Sequence, residues 1–232
     1  MNEFQNQTVL ITGAKGGLGS YVTEAFLAAG ATVIGSSKSI QDSDFANPRF
    51  AAMPADLTDA ASARQLAESA IGRFKRIDVL VHVMGGFAGG QPVTATDDAT
   101  WDLMMNLNLR AAFHLLRAMV PHMRQAGRGR IIAIAGRTAV EPQPNLSAYN
   151  ASKAALVSLV RTVALENRDL GITANSVLPG TLDTAANRKA DPGADTSKWV
   201  PPADVASLVL FLASPAGAQI TGAAIPIYGP GA

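Results

Sequence analysis

Short apolar runs rich in β-branched residues alternate with longer Ala- and Leu-rich segments along this 232-residue chain. Several of the short runs are apolar throughout, which is typical of strands in a parallel sheet that helices cover on both faces. The pattern predicts six strands and allows a seventh: Thr8–Thr12, Ala31–Gly35, Arg49–Met53, Ile77–Val83, Arg130–Ala135, Ile172–Val177 and, as the seventh, Ala223–Tyr228.

Helical patterns lie between these strands and give the chain a regular strand–helix alternation. They span five segments: Gly17–Ala29, Asp59–Phe74, Asp98–Gln125, Ser147–Asn167 and Pro202–Ala213. This alternation predicts the α/β class, with a single Rossmann-type doubly wound parallel sheet of about seven strands flanked by helices. No linker rich in Pro, Gly or Ser divides the chain, so residues 1–232 are expected to form one domain.

The least regular stretch is Leu178–Pro201, which is rich in Pro, Asp and Lys and lies late in the chain between a strand and a helix. Loops that follow strands of a parallel sheet border its ligand crevice. Such loops often carry function. We therefore expect a substrate lid over about residues 180–201.

Composition excludes several classes of partner and chemistry. Lys and Arg number 19 against 18 for Asp and Glu, and no run of like charge favours a nucleic acid or a membrane surface. The absence of cysteine excludes disulfides and thiol catalysis, and the three histidines show no metal-ligand spacing. The polar start, Met1–Gln7, lacks the apolar region of a signal peptide. We expect a cytoplasmic protein with a small-molecule substrate and no metal.

A glycine-rich loop follows the first predicted strand and opens the first predicted helix. Gly13 permits a tight turn, Gly17 lets the backbone approach a pyrophosphate, and Gly19 lets helix and strand pack closely. The helix N-terminus then offers N–H groups to the phosphates. The alternative is a glycine turn without a ligand, but this context predicts a dinucleotide site comprising Gly13, Lys15, Gly16, Gly17, Leu18 and Gly19.

The end of the second strand bears on the choice of cofactor. Sites that prefer NAD usually place an acidic residue there to hold the ribose 2′-hydroxyl. This chain has Ser37 and Lys38 instead, and Lys38 or Lys15 is able to neutralise a 2′-phosphate. The sequence therefore favours NADP(H) as the cofactor, although NAD(H) remains an alternative. Both lysines could equally be solvated surface charges with no part in cofactor binding.

Two further segments suit the adenosine half of a dinucleotide. Asp56 and Leu57 follow the third strand, where the carboxylate either accepts from an adenine amino group or caps the next helix. Gly85 follows the fourth strand, where a small residue lets the backbone close over the cofactor.

Tyr149 and Lys153 are four residues apart in a helical pattern, so they share one helix face. A nearby cation lowers the pKa of a phenol by favouring the phenolate. Tyr149 is then suited to give a proton to a carbonyl oxygen or an imine nitrogen as hydride arrives from a nicotinamide. Lys153 is also suited to hold the nicotinamide ribose.

Over nearly its whole length the chain resembles the short-chain dehydrogenase/reductase family. The matching motifs are Thr12–Gly19, Asn108-Leu109, Tyr149-x-x-x-Lys153 and Pro179-Gly180-Thr181-Leu182-Asp183-Thr184. The resemblance implies one dinucleotide-binding oxidoreductase domain, with Tyr149 as acid/base and Lys153 as its activator and ribose ligand. It further implies that Asn108 holds a water of the proton relay. The cofactor contacts that it implies near the nicotinamide include Pro179, Gly180, Thr181, Leu182 and Thr184. A homo-oligomer, either tetramer or dimer, is implied as well.

Two positions depart from the family pattern. The family usually has Asn-Asn-Ala-Gly where this chain has His82-Val83-Met84-Gly85. The serine that normally follows the fifth strand and donates to the substrate carbonyl falls on Gly136. Loss of one such donor costs a few kcal/mol of transition-state stabilisation, about 3. Thr138, Ser147 or a water are the candidates to replace it.

A narrower resemblance leaves the substrate open. Residues Met84–Gly90 and Leu178–Lys189 are similar to segments of quinonoid dihydropteridine reductases, which lack the serine and keep the Tyr–Lys pair. That subfamily typically has an acidic residue where Ser37 stands. Phe87 and Trp199 either stack on a flat ring or are plain packing residues. The alternatives are therefore a carbonyl reductase, a dihydropteridine-type reductase and a non-catalytic cofactor-binding regulatory protein.

Overall fold

A seven-stranded, fully parallel sheet forms the centre of the protein in a computed structural model, which describes residues 3–230; Met1, Asn2, Gly231 and Ala232 of the predicted domain lie outside that range. The strands are Thr8–Thr12 (β1), Thr32–Ser36 (β2), Phe50–Ala52 (β3), Val79–His82 (β4), Gly129–Ile134 (β5), Ile172–Pro179 (β6) and Ala224–Ile227 (β7). Their order is β3-β2-β1-β4-β5-β6-β7, which confirms the Rossmann-type sheet. The order reverses between β1 and β4, where such sheets open a ligand crevice.

Helices cover both faces of the sheet. Within residues 3–230 they are Gly19–Ala28 (α1), Ala60–Phe74 (α2), Asp98–Met105 (α3), Ala111–Ala126 (α4), Ser147–Asn167 (α5), Ala185–Ala190 (α6) and Pro202–Ala213 (α7). Side chains alternate between the two faces, so Leu80 packs with α2, α4 and α5 while Val81 packs with α1 and α7. None of these helices is long and apolar enough to cross a membrane.

The predicted continuous helix over Asp98–Gln125 is wrong in one respect. A π-helical turn, Asn106–Arg110, divides it into α3 and α4. Because Leu107 and Leu109 keep an apolar pattern through the turn, the periodicity gives no sign of it. Turns of this kind occur frequently at functional sites. This one carries Asn108, which is fully buried.

The segment predicted as an irregular lid contains a short helix, α6. The hydroxyl of Thr184 caps it by accepting from the Asn187 amide at 3.3 Å. The two ends of the segment are joined, because the Val200 amide donates to the Thr181 carbonyl at 2.8 Å and the Asp183 amide donates to the Val200 carbonyl at 2.9 Å. The segment is thus a closed loop anchored at the carboxyl end of β6, and its role as a lid stays a prediction.

Candidate active site

A crevice of about 1110 Å³ opens along the carboxyl edge of the sheet. It is bordered by the glycine-rich loop, the loops after β4 and β5, the start of α5 and the segment after β6. Twelve of the predicted site residues line it: Gly13, Gly16, Gly17, Leu18, Gly19, Gly85, Tyr149, Lys153, Pro179, Gly180, Thr181 and Leu182. The crevice therefore brings most of the predicted cofactor site together with the predicted catalytic pair.

The glycine-rich loop is held against three strands. Gly13 has a φ of +65°, and a Cβ there would lie 3.0 Å from the Met84 amide nitrogen after β4. The Gly13 amide donates to the Ser36 carbonyl at the end of β2, at 2.7 Å. A Cβ on Gly19 would overlap the Gly13 carbonyl, so only glycine allows α1 to start this close to β1. The loop therefore exposes bare backbone to the crevice, which fits a pyrophosphate.

Thr184 lies over the glycine-rich loop without lining the crevice. A Cβ on Gly17 would approach the Thr184 methyl carbon to 3.0 Å, so this threonine packs directly on the loop. Its hydroxyl is occupied by the cap of α6. The predicted contact between Thr184 and the nicotinamide end of a cofactor stays a prediction.

Both lysines that the sequence offers to a 2′-phosphate, Lys15 in the glycine-rich loop and Lys38 after β2, are paired with carboxylates. Lys15 Nζ donates to the Ser39 carbonyl at 2.6 Å and lies 3.3 Å from Asp44. Lys38 Nζ lies 2.7 Å from Asp56, with the lysine side chain 63% exposed. The two lysines thus flank the segment that contains Ser37, and each is paired with a carboxylate, so their contact with a 2′-phosphate stays a prediction.

Asp56 is not the helix cap that the sequence left open. Asp59 caps α2 instead, accepting from the Ser62 amide at 2.7 Å. Asp56 accepts from both the amide and the hydroxyl of Thr58, at 3.0 and 2.6 Å. The ion pair with Lys38, followed by these hydrogen bonds, lowers the pKa of Asp56 to about 2. The carboxylate is therefore ionised and able to accept hydrogen bonds near the end of β3.

Leu57 and Ser37 differ in what they offer to a ligand. The Leu57 side chain is buried in the core with α4, so only its backbone is available, and its carbonyl is 3.1 Å from His114 Nδ1. The Ser37 hydroxyl is buried and has no hydrogen-bond partner among the described residues. A buried hydroxyl without a partner fits a ligand contact at this point.

Tyr149 and Lys153 lie one turn apart on α5, and both line the crevice. The ammonium is 5.8 Å from the centroid of the tyrosine ring and donates to the Ile134 carbonyl at 3.2 Å. Burial lowers the pKa of Lys153 to about 8 and raises the pKa of Tyr149. The expected lowering of the phenol pKa by the neighbouring cation is therefore not met, because burial raises the pKa of Tyr149.

Asn108 fixes the loop after β4 against this pair. Its Oδ1 accepts from the Gly86 amide at 2.8 Å, and its Nδ2 donates to the Gly86 carbonyl at 3.1 Å and to the Ser152 hydroxyl at 3.0 Å. A Cβ on Gly85 would lie 2.8 Å from Asn108 Oδ1 and 3.1 Å from Lys153 Nζ. Bare backbone at Gly85 therefore leaves the space beside the ammonium open.

Gly136 lies beside the tyrosine hydroxyl, where the family pattern has a serine. A Cβ there would be 3.5 Å from Tyr149 Oη, an ordinary contact distance. Of the candidate replacements, the Ser147 hydroxyl is bonded to Thr96 Oγ1 at 3.0 Å and does not line the crevice. Thr138 lines the crevice, and its hydroxyl is buried without a partner in the described part of the chain.

Aromatic side chains line the crevice close to Tyr149 and Lys153, the predicted reacting end of the crevice. Phe87 is 68% exposed, with its ring centroid 5.0 Å from that of Tyr149 in an edge-to-face arrangement. Trp199 lines the same crevice. Tyr228 and Arg137, which no sequence motif singled out, also line the crevice, and the Arg137 guanidinium lies 4.7 Å from the centroid of the Tyr228 ring. The position of Arg137 directly after Gly136 is the one sequence signal that would have indicated it.

The sheet order and the glycine-rich loop define a Rossmann-type α/β protein, and comparison with known proteins defines its family. A model of the short chain dehydrogenase family matches residues 7–195. A short chain dehydrogenase of Penicillium roqueforti is 32% identical over 98% of this chain and 97% of its own. A D-beta-hydroxybutyrate dehydrogenase of Rhizobium meliloti is 31% identical over 96% of this chain and 97% of its own. The chain therefore belongs to the short chain dehydrogenase family.

A solved structure agrees with this assignment. The 3-ketoacyl-(acyl-carrier-protein) reductase of Brucella melitensis, complexed with NADH, superimposes with a TM-score of 0.89 at 26% identity. The match covers 97% of this chain and 98% of that one. The similarity extends over the whole sheet and both helix layers, so the predicted fold is confirmed.

Proposed function

We propose that this protein is an oxidoreductase that transfers hydride between NADP(H) and a carbonyl or imine group of a small molecule. The bound nicotinamide would supply or accept the hydride. Tyr149 gives its phenolic proton to the substrate oxygen or nitrogen during reduction, and Lys153 stabilises the phenolate with its positive charge. The observation that carries this proposal is the placement of both groups on the wall of the crevice that the glycine-rich loop opens.

The residues at the end of β2 support NADP(H) over NAD(H). No carboxylate lies at Ser36 or Ser37, and Lys15 and Lys38 flank this segment. Both lysines are paired in exposed or half-buried positions, where ion pairs contribute little. A 2′-phosphate with nearly two charges is therefore able to compete for them.

A dihydropteridine-type reductase is the second candidate, and Gly136 supports it. With no side chain at this position, the space beside Tyr149 Oη is available to the edge of a flat ring. Phe87 and Trp199 offer aromatic surfaces in the same crevice. A ring nitrogen would then receive the proton of Tyr149, and no hydroxyl donor to a carbonyl is needed.

We also propose that the protein is a homo-oligomer, a dimer or a tetramer. Four large apolar side chains are exposed on α3, α4 and α5: Trp101, Leu103, Phe113 and Leu165. A buried interface between copies would remove this apolar surface from water. Light scattering of the purified protein measures the assembly directly, and a monomer would contradict the proposal.

Replacement Tyr149→Phe tests the catalytic role. We expect the rate constant of reduction to fall about 10³-fold, because the acid is removed while the ring remains. NADPH affinity, measured by fluorescence titration, should stay within about twofold because only one hydroxyl is lost. The matched control is Tyr21→Phe, which removes an exposed hydroxyl on α1.

The substrate panel for this test contains aldehydes, ketones and a quinonoid dihydropterin. Equal turnover by the wild type and the Tyr149→Phe variant would remove Tyr149 from the mechanism. Cofactor binding without turnover of any substrate would favour the regulatory protein. The relative rates with the dihydropterin and the carbonyl compounds separate the two enzymatic candidates.

A further inference from the structure

A row of buried side chains crosses the sheet directly beneath the reacting end of the crevice. The register pairs Thr12 of β1 with His82 of β4, His82 with Ala133 of β5, and Ala133 with Ser176 of β6. Paired positions on parallel strands point to the same face, and Ala133 packs in the core on the α4 and α5 side. The row therefore lies under α5, the helix that carries Lys153.

His82 occupies this row with one ring nitrogen satisfied and the other not. Its Nδ1 lies 3.0 Å from Thr12 Oγ1, which also accepts from the Met84 amide at 3.2 Å. Its Nε2 is buried and has no hydrogen-bond partner among residues 3–230. Burial, and after it the charge of Lys153, lowers the pKa of His82 to about 3, so the ring is neutral. A neutral, buried Nε2 calls for a polar partner.

Ser176 is the second unsatisfied group, and it lies two strands away. Its hydroxyl is buried without a partner in the described residues. Neighbouring strands are about 4.8 Å apart, so the Cα atoms of His82 and Ser176 are about 9.6 Å apart. The small side chain of Ala133 lies between them. A single internal water fits this arrangement, since buried waters typically join polar groups that have no other partner.

The side chain of Lys153 extends from α5 to the same part of the sheet, at the end of β5. Its side chain is 5% exposed, and Nζ has a single acceptor among the described residues, the carbonyl of Ile134. Ile134 directly follows Ala133 on β5. An ammonium group has three N–H donors, so further donors are available here. His82 and Ser176 thus lie on the two strands that flank Ala133, and the ammonium donates to the carbonyl of the residue that follows it.

We propose that one internal water above Ala133 hydrogen-bonds to His82 Nε2, Ser176 Oγ and Lys153 Nζ, so that His82 and Ser176 are positioning residues for the lysine. This inference rests on the proposed function, because Lys153 acts there through Tyr149. A water that accepts from the ammonium favours its protonated form. The site therefore retains the positive charge that the phenolate needs in a buried position.

Replacement Ser176→Ala is the sharpest activity test, because it deletes a hydroxyl with no protein partner. We expect the alkaline limb of the pH profile of kcat/KM for reduction to move down by about 0.5 pH unit, since the ammonium loses support. The matched control Thr173→Val deletes another buried hydroxyl without a described partner, at the far end of β6, and should leave the profile unchanged.

Variants of His82 test the other contact. His82→Leu should move the alkaline limb further than Ser176→Ala, and His82→Gln, which keeps a polar group, should restore at least half of the shift. A wild-type pH profile in Ser176→Ala would overturn the positioning role even if a water is present.

A high-resolution crystal structure tests the water itself and does not depend on turnover. We expect an ordered water within hydrogen-bond distance of His82 Nε2 and Ser176 Oγ, and its loss in Ser176→Ala. Absence of this water from the wild type would overturn the inference. Full activity of Lys153→Ala would instead overturn the proposed function, which keeps the two failures distinguishable.

Discussion

Two lysines of the predicted site lie in opposite surroundings, one at the end of β2 and one on the wall of the crevice. Lys38, at the end of β2, is 63% exposed and pairs with an exposed carboxylate. Lys153, at the reacting end, is 5% exposed and donates to a backbone carbonyl. The exposed cation suits recognition of a charged group that arrives from water. The buried cation suits the stabilisation of a charge that develops out of contact with water.

The size of the expected effects follows from this contrast. Solvent and salt screen the charges at the β2 end, so each contributes little alone. At the reacting end, Lys153 and Asn108 are buried and hydrogen-bonded to backbone groups, so removal of either side chain leaves buried groups without a partner. Variants at the buried end should therefore have the largest effects and variants at the exposed end the smallest.

Replacement Lys153→Ala should have the largest effect among these variants. We expect kcat for reduction to fall about 10²- to 10³-fold, because the phenolate of Tyr149 loses its stabilising charge in a buried site. Steady-state kinetics with NADPH measures the loss. Lys75→Ala, which removes a lysine at the end of α2, is the control and should retain full activity.

The pH dependence of the wild-type rate also tests whether reduction needs the positive charge of Lys153. Burial lowers the pKa of Lys153 to about 8, so the ammonium is lost as the pH rises above that value. Reduction by the unliganded enzyme, measured as kcat/KM, should accordingly fall above about pH 8. A profile that stays flat to pH 10 would contradict a requirement for the protonated lysine.

Replacement Asn108→Ala should reduce both stability and rate. Deletion of the amide leaves the Gly86 amide and carbonyl without their partner, and we expect the free energy of unfolding to fall by about 1–3 kcal/mol. The loop beside Lys153 is then less well positioned, and kcat should fall about tenfold. Urea unfolding and steady-state kinetics measure the two effects.

The control lies on the same π-helical turn. Asn106→Ala removes an amide for which the described structure shows no side-chain hydrogen bond, and it should be nearly neutral. If Asn106→Ala and Asn108→Ala lower the stability equally, the hydrogen bonds to Gly86 are not what Asn108 contributes.

The sequence predicts this fold well because its strongest signals are local. Apolar runs bounded by turn residues identify all seven strands, with bounds that differ by no more than two residues from those observed. The glycine-rich loop and the spacing of Tyr149 and Lys153 are equally local. Parallel topology then brings them to one edge of the sheet, since all strand ends point the same way.

The features that the sequence did not predict depend on partners distant in the chain. The ion pair of Lys38 with Asp56 forms because β2 and β3 end side by side. Nothing in the sequence indicates that these two residues are partners. The π-helical turn leaves the apolar pattern unchanged. The lack of a hydrogen-bond partner for His82 Nε2 in the described residues depends on how four strands pair, which the sequence does not show.

Replacement Gly136→Ser tests the departure from the family pattern, with an intermediate expected effect. The added Cβ would lie 3.5 Å from Tyr149 Oη, an ordinary contact, but the φ of +159° at Gly136 strains the backbone of any residue with a side chain, serine and alanine alike. We expect reduction of small ketones to become about tenfold faster, because a hydroxyl donor to the carbonyl is restored. Gly136→Ala is the matched control, since it fills the same space without the donor. A serine variant no faster than the alanine variant would show that another group already supplies this hydrogen bond.

Replacement Lys38→Ala should have the smallest effect and should act on cofactor choice alone. We expect KM for NADPH to rise about fivefold at low salt while KM for NADH is unchanged, because only the 2′-phosphate carries the charge that Lys38 meets. The difference should shrink as ionic strength rises, since screening weakens exposed charges. Arg64→Ala, which breaks an exposed pair with Glu68 outside the crevice, is the control. An equal rise for both cofactors would place Lys38 outside the 2′ site and would leave NADP(H) preference without its main support.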